Sequence, residues 1–133
     1  MRTTRSNPDT VAAPIGTYSH AVRVEASDGI WIYVSGQIAS DPDGTLVGPN
    51  DLPAQTVQVF ENVKAILEAN GASFANVVKL QTYVTTLEGL AEMRQVRSRY
   101  LTSELPASTA VQVVALVVPD AVIEVDVVAV IPS

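Results

Sequence analysis

Two carboxylates, Glu124 and Asp126, stand two positions apart in Ile123-Glu124-Val125-Asp126. On an extended strand they share one face. In a pocket such a carboxylate can activate a water, with burial tending to raise its pKa; the plainer reading is an edge-strand pair in solvent. Arg94, Arg97 and Arg99 fall close together between Glu92 and Glu104. Mixed charges on a helix normally mark a solvated face. Arg94 and Arg97, however, are an i, i+3 pair, so their guanidiniums share a side and repel unless an anion sits between them. Tyr18 follows Gly16-Thr17 in a loop, where a Tyr either caps the core or touches a ligand. Ser35 has no nucleophilic triad: the single His, His20, lies fifteen positions earlier and there is no G-x-S-x-G elbow. Its expected role is a hydroxyl hydrogen bond. His20 has no nearby acid to orient it and reads as structural. Gly36 suits either a close backbone approach or a bulge.

Composition narrows the chemistry further. The chain has 133 residues, one domain's worth, with 8 Lys and Arg against 14 Asp and Glu, a formal net charge of −6. An acidic chain without a basic stripe is a poor phosphate binder, so no nucleic-acid partner is expected. Cys is absent and His occurs once, which excludes thiolate nucleophiles, disulfides and His- or Cys-rich metal sites. No metal or cofactor is expected. The longest apolar run, Val113 to Val118, is far short of the roughly 20 residues of a membrane helix, and no apolar stretch of signal type follows Met1. A soluble, cytoplasmic protein with no membrane partner is the expectation.

The elements that must position these residues are readable. Valine occurs 22 times, and β-branched side chains favour strands. Ala21 to Ala26 and Ile30 to Gln37 read as a strand pair turning at Ser27-Asp28-Gly29. After a loop over Ala39 to Asn50, a helix is signalled by Asn50 or Asp51 as cap, Pro53 in the first turn and Gly71 beyond the end. Val77 to Thr86 reads as a strand with Val78, Leu80, Thr82 and Val84 on one side. A second helix is expected from about Leu87 to Thr102, with Leu90, Met93, Val96 or Arg97, and Leu101 inward. Ala107 to Ile131 reads as a hairpin of two strands, apolar on both faces. Two helices cover only one face of such a sheet, so a homo-oligomer is expected to cover the other.

At this point the residues resemble those of the Rid proteins (reactive intermediate deaminases, the YjgF family). Gly16-Thr17-Tyr18-Ser19-His20-Ala21 is similar to the family's G-P-Y-S-x-A segment, and Val34-Ser35-Gly36-Gln37 to its V-S-G-Q strand end. Ala54-Gln55-Thr56 with Glu61-Asn62 resembles its A-x-Q-T…x-N helix, and Val78-Lys79 with Thr82-Tyr83 its V-K-x-T-x-Y strand. Pro106-Ala107 and Ile123-Glu124-Val125-Asp126 resemble its P-A-R and I-E-I-E segments. The likeness runs in order from about Ala13 to Ile131.

The resemblance implies an α+β, chorismate-mutase-like domain spanning 1–133, with about six strands, two helices on one face, and a homotrimer carrying its sites between subunits. It implies cofactor-free hydrolysis of enamines and imines, with a small carboxylate metabolite as partner. Glu124 stands at the family's water-positioning Glu, Tyr18 at its pocket Tyr, and Ser35 and Gly36 at its pocket strand end. Ser108, however, stands where the family's carboxylate-binding Arg should be. In the same gapless register Arg94 replaces a pocket Asn, and Arg97 a position that is often aromatic. The expectation is therefore a Rid-like hydrolase with catalytic Glu124, an atypical pocket of Tyr18, Ser35, Gly36, Arg94 and Ser108, and weak action on ordinary 2-imino acids. The competing expectation is a trimer that binds a metabolite without turning it over. The family's older ribonuclease label conflicts with the charge of −6.

Overall fold

The computed structural model describes all 133 residues. Six strands, β1 (Arg2–Ser6), β2 (Ala21–Ala26), β3 (Gly29–Gln37), β4 (Val77–Val84), β5 (Ala107–Gln112) and β6 (Ile123–Pro132), form one sheet in the order β1-β2-β3-β6-β4-β5. The helices α1 (Leu52–Ala69) and α2 (Leu90–Tyr100) pack on one face of it, and a single 3₁₀ turn, Phe74–Asn76, leads into β4. The expected α+β sheet with two helices on one face is what the chain forms.

The start of α1 follows the sequence signals: the Asp51 carboxylate accepts from the Ala54 backbone N–H (3.1 Å), with Pro53 in the first turn. Its inner stripe, Val59, Phe60, Val63, Ile66 and Leu67, is fully buried against β3 and β6. Phe60, Phe74 and Tyr100 pack their rings at centroid distances of 5.2 to 5.6 Å, which docks the end of α2 onto α1. The Tyr100 hydroxyl also donates to Glu61 (2.7 Å), and burial together with that carboxylate pushes its pKa up to about 12. With Tyr100 held and Met93 and Val96 buried, the rotation of α2 is set. Arg97 then lies half-buried along the flank facing β5.

Three expectations need correction. The segment Ala107 to Ile131 is not a hairpin: β5 pairs in parallel with β4, and β4 separates it from β6. Parallel neighbours need a crossover, and α2 supplies it. An apolar run names no partner strand, so the sequence pattern could not distinguish the two pairings. The linker between β5 and β6 is loop, with Val114 and Val117 among the most exposed residues of the chain. In β4 the apolar alternation breaks at Val78, which is exposed while Val77 is buried. The register against β6 shifts between Val77 and Lys79, and such an irregularity turns one side chain to the other face. α2 is also shorter than expected, beginning at Leu90 after Gly89 in the left-handed region (φ 85°).

The open face of the sheet is apolar across β2, β3 and the C-terminal half of β6. Val22 and Val24 of β2, Trp31 and Tyr33 of β3 and Val128 and Val130 of β6 lie side by side there, and β5 is exposed along its whole length.

On the helix-covered face, the buried Thr82 hydroxyl has no hydrogen-bond partner. A desolvated, unpaired hydroxyl costs on the order of 1 kcal/mol or more. Thr82→Val keeps the shape and removes that cost, so it should stabilise the fold by about 1 kcal/mol in urea unfolding; a loss of stability would contradict the assignment.

Candidate functional site

Side-chain alternation divides the candidate residues into two groups. In β6, Ile123 and Val125 point to the helices, so Glu124 and Asp126 point to the open face, opposite Tyr83 and Gln81 of β4. In β5, Ser108 stands opposite Leu80, whose side chain is fully buried beneath the helices. Ser108 and Glu124 therefore project from opposite faces of the sheet.

The first group gathers around Glu124. Tyr18, Ser35, Gly36 and Glu124 line a cavity of about 390 Å³, with Val117 and Val118 as its apolar wall. Glu124 lies directly on the Gly36 backbone: a Cβ on residue 36 would come within 2.5 Å of Oε2. Gly36 also falls in the stretch where the β3–β6 register slips, between Val34 and Gln37. The close approach and the bulge are thus one feature, and any side chain at 36 would have to displace the Glu124 carboxylate. The Ser35 hydroxyl donates to the Ser19 carbonyl (2.6 Å), which ties the loop carrying Tyr18 to the end of β3. Buried His20 holds the same loop, with Nε2 2.6 Å from the Ala12 carbonyl and Nδ1 3.4 Å from Gln37 Nε2. Read by its partners, the ring donates through Nε2 and accepts through Nδ1, a structural role.

The electrostatics around Glu124 favour a protonatable acid. Burial, then the neighbouring Asp126 carboxylate, raises its pKa above the ordinary value. Burial likewise raises Asp126, against the opposing pull of the Tyr83 hydroxyl and Lys79. The Tyr83 hydroxyl donates to Gln81 Oε1 (2.6 Å) beside them.

The second group lies on the other face. Arg94 and Arg97 line a cavity of about 670 Å³ between α2 and β5, walled mainly by Val84, Leu87, Leu90, Met93 and Leu101. Arg97 Nη2 donates to Ser108 Oγ (2.8 Å). The cation in contact with Ser108 is thus Arg97, while Arg94 lies exposed one turn earlier on the same wall. Sequence reasoning did not rank Arg97 as a site residue. The available signal was its i, i+3 relation to Arg94 and its place beside Val96 on the inner edge of α2. Neither arginine has a carboxylate within 4.0 Å; the two ion pairs of the molecule both use Glu25.

The wall behind Glu124 is held from the core. Buried Gln55 of α1 donates Nε2 to the carbonyls of Gly48 (3.0 Å) and Asp120 (2.8 Å) and accepts at Oε1 from the Val122 N–H (2.8 Å). That one amide fixes the loop that carries Val117 and Val118 into β6.

With this geometry in place, the likeness to known proteins is decisive. Residues 9–131 match the family model described as Endoribonuclease L-PSP. The chain belongs to the Rid (YjgF) family. A RutC family protein of Pyrococcus abyssi is 44% identical over 100 residues, covering 75% of this chain and 76% of that one. A rat protein named 2-iminobutanoate/2-iminopropanoate deaminase is 36% identical over 104 residues, 78% and 73% of the two chains. The crystal structure of RidA from an Antarctic Psychrobacter superposes with a TM-score of 0.85 at 37% identity, covering 96% of this Rid chain and 99% of that one. No helix of this Rid protein is long and apolar enough to cross a membrane.

Two outcomes follow from the packing of Glu124. Gly36→Ala should push the carboxylate out into solvent, so its pKa, followed by carbon NMR, falls towards the ordinary value while the fold persists; an unchanged titration would refute the contact. The raised pKa also has a stability sign. The folded chain holds this proton more tightly than the unfolded one, so the ionised Glu124 costs stability above the ordinary value of 4.5 and costs nothing well below it. Glu124→Gln should melt higher than wild type at pH 7 and lose that advantage near pH 3.

Proposed function

We propose that this Rid protein hydrolyses an imine or enamine metabolite bearing a carboxylate, in the cytoplasm and without a cofactor, with Glu124 as the catalytic acid–base. The observation that carries the reading is the half-buried Glu124 carboxylate packed on Gly36, with its pKa raised. An acid tuned upward can take a proton from water near neutral pH and return it. Water adds to the carbon of C=N as Glu124 accepts one of its protons. The same proton then goes to the nitrogen to complete a carbinolamine; Glu124 next carries the hydroxyl proton to that nitrogen, and the C–N bond breaks as C=O forms, releasing a 2-oxo acid and ammonia. An enamine first takes a proton on carbon to become the imine. Tyr18 and the Ser35–Gly36 strand end shape the pocket around the reacting carbon.

The working unit in this reading is a homotrimer. Its support is the uncovered apolar face of β2, β3 and β6 and the fully exposed edge strand β5. A monomer leaving both in water would be unusual. Packing of copies also resolves the division of the site. Tyr18, Ser35, Gly36 and Glu124 of one subunit can meet Arg94, Arg97 and Ser108 of its neighbour, which one chain cannot arrange by itself.

Ser108 in place of the family's Arg predicts weak action on the smallest substrates. Loss of a charge-assisted carboxylate contact costs roughly 2–4 kcal/mol, or about 30- to 1000-fold in rate. The retained Rid pocket without that Arg also gives the binding-only reading its one supporting observation.

The test is release of ammonia and 2-oxo acid from 2-imino acids generated in situ. Wild type should accelerate hydrolysis above the buffer rate, poorly for 2-iminopropionate. Glu124→Gln should lose about 100-fold or more. Acceleration of none of a panel of small, branched and aromatic 2-imino acids would overturn catalysis in favour of binding alone. Sedimentation should return three times the 14.1 kDa chain mass; a monomer at micromolar concentration would overturn the assembly.

A further inference from the structure

The cavity between α2 and β5 holds an unusual electrostatic arrangement. Arg97 is half-buried, yet its hydrogen-bond partner is a neutral oxygen, Ser108 Oγ at 2.8 Å, beside the residues that line the cavity. Arg94 stands one turn away on the same side, and no carboxylate comes within 4.0 Å of either guanidinium. Burial, then the charge of Arg94, lowers the pKa of Arg97. Two like charges held together without a counter-charge create a site that an anion relieves. The protein surrounding them is acidic overall, so this positive spot is local.

Ser108 completes the arrangement. Its oxygen accepts the Arg97 N–H, which leaves its own hydroxyl hydrogen free to donate. The bond from Arg97 fixes the direction in which the remaining guanidinium N–H groups face the cavity. Ser98 and Gln112 add two polar groups; the rest of the lining is apolar, with Leu90, Met93 and Leu101 prominent in it. At about 670 Å³ it is within the usual range for small-molecule sites and far larger than a three-carbon acid needs.

We propose that Arg97, oriented by Ser108 and reinforced by Arg94, is the carboxylate-recognising group of this chain, and that its ligand is a 2-oxo or 2-imino acid with an apolar side chain of four or more carbons. The assignment rests on the carboxylate-substrate reading given above and deepens it. The two guanidiniums bind the acid group; the leucines and Met93 bind the side chain. Arg97 is thereby the specificity-determining residue and Ser108 a positioning residue. A small acid gains the polar contact but leaves the apolar wall empty, and so binds weakly.

Equilibrium binding to the purified protein tests this without requiring turnover. The probes are 4-methyl-2-oxopentanoate, pyruvate and 2-oxoglutarate, measured by calorimetry at low salt. The branched acid should bind at least 10-fold more tightly than either of the others. Arg97→Gln should weaken it at least 30-fold, Arg97→Lys less, and Arg99→Ala not measurably. Ser108→Ala should weaken binding several-fold in wild type and have no further effect in the Arg97→Gln background, a coupling that mere loss of structure would not produce. Circular dichroism and sedimentation confirm that each variant folds and assembles like wild type; for any variant that does not, Arg97→Lys carries the comparison. Equal binding of pyruvate and the branched acid, tighter binding of 2-oxoglutarate, or unchanged affinity in Arg97→Gln would each overturn the proposal. The two readings also fail separately. Turnover with an unaltered KM in Arg97→Gln would sink this inference alone, whereas tight, Arg97-dependent binding with no turnover would sink only the hydrolase reading.

Discussion

Side chains on a strand must alternate between faces, and almost everything about the candidate site follows from where that alternation places two residues. Glu124 falls among open-face neighbours because Ile123 and Val125 are claimed by the core. Ser108 falls on the helix side because its partner Leu80 is claimed by the same core. Neither orientation can change without moving a buried residue into water, and a one-residue slip would invert the whole strand. The acid and the cation-bearing wall are thus kept apart within the chain by the same hydrophobic burial that stabilises it. A reaction needing both draws on two copies.

The local irregularities are as purposeful as the regular pairing. At Gly36 the register slip and the missing side chain together let a carboxylate rest on backbone, and burial there raises its pKa. On α2, the aromatic cluster of Phe60, Phe74 and Tyr100 fixes the helix rotation, which brings Arg97 onto β5 and leaves Arg99 outside the cavity. In both places a packing decision made in the core sets the electrostatics of a cavity.

How much of this the sequence disclosed depended on the range of the interaction. The cap at Asp51, the turn at Asp28-Gly29, the inner stripe of α1 and the shared face of Glu124 and Asp126 are local, and local spacing showed them. The resemblance supplied the fold class and the grouping of Tyr18, Ser35, Gly36 and Glu124, which the cavity brings together. The parallel pairing of β5 with β4 was hidden, because valine-rich strands look alike whichever neighbour they join. The exposed Val78 was hidden because a bulge leaves no residue signature there. The Arg97–Ser108 contact joins an interior helix edge to an edge strand, and it requires the rotation of α2 to be known to within a fraction of a turn.

Gln55 decides how firmly the wall of the Glu124 cavity is tied to the core. Its side chain joins positions 65 and 67 residues later in the chain, Asp120 and Val122, to the start of α1. The amide is fully buried, and each of its partners left without it would be an unsatisfied polar group costing on the order of 1–3 kcal/mol. The wall of the Glu124 cavity thus hangs on one buried amide, whereas the central sheet is held by its own β3–β6 and β4–β6 ladders.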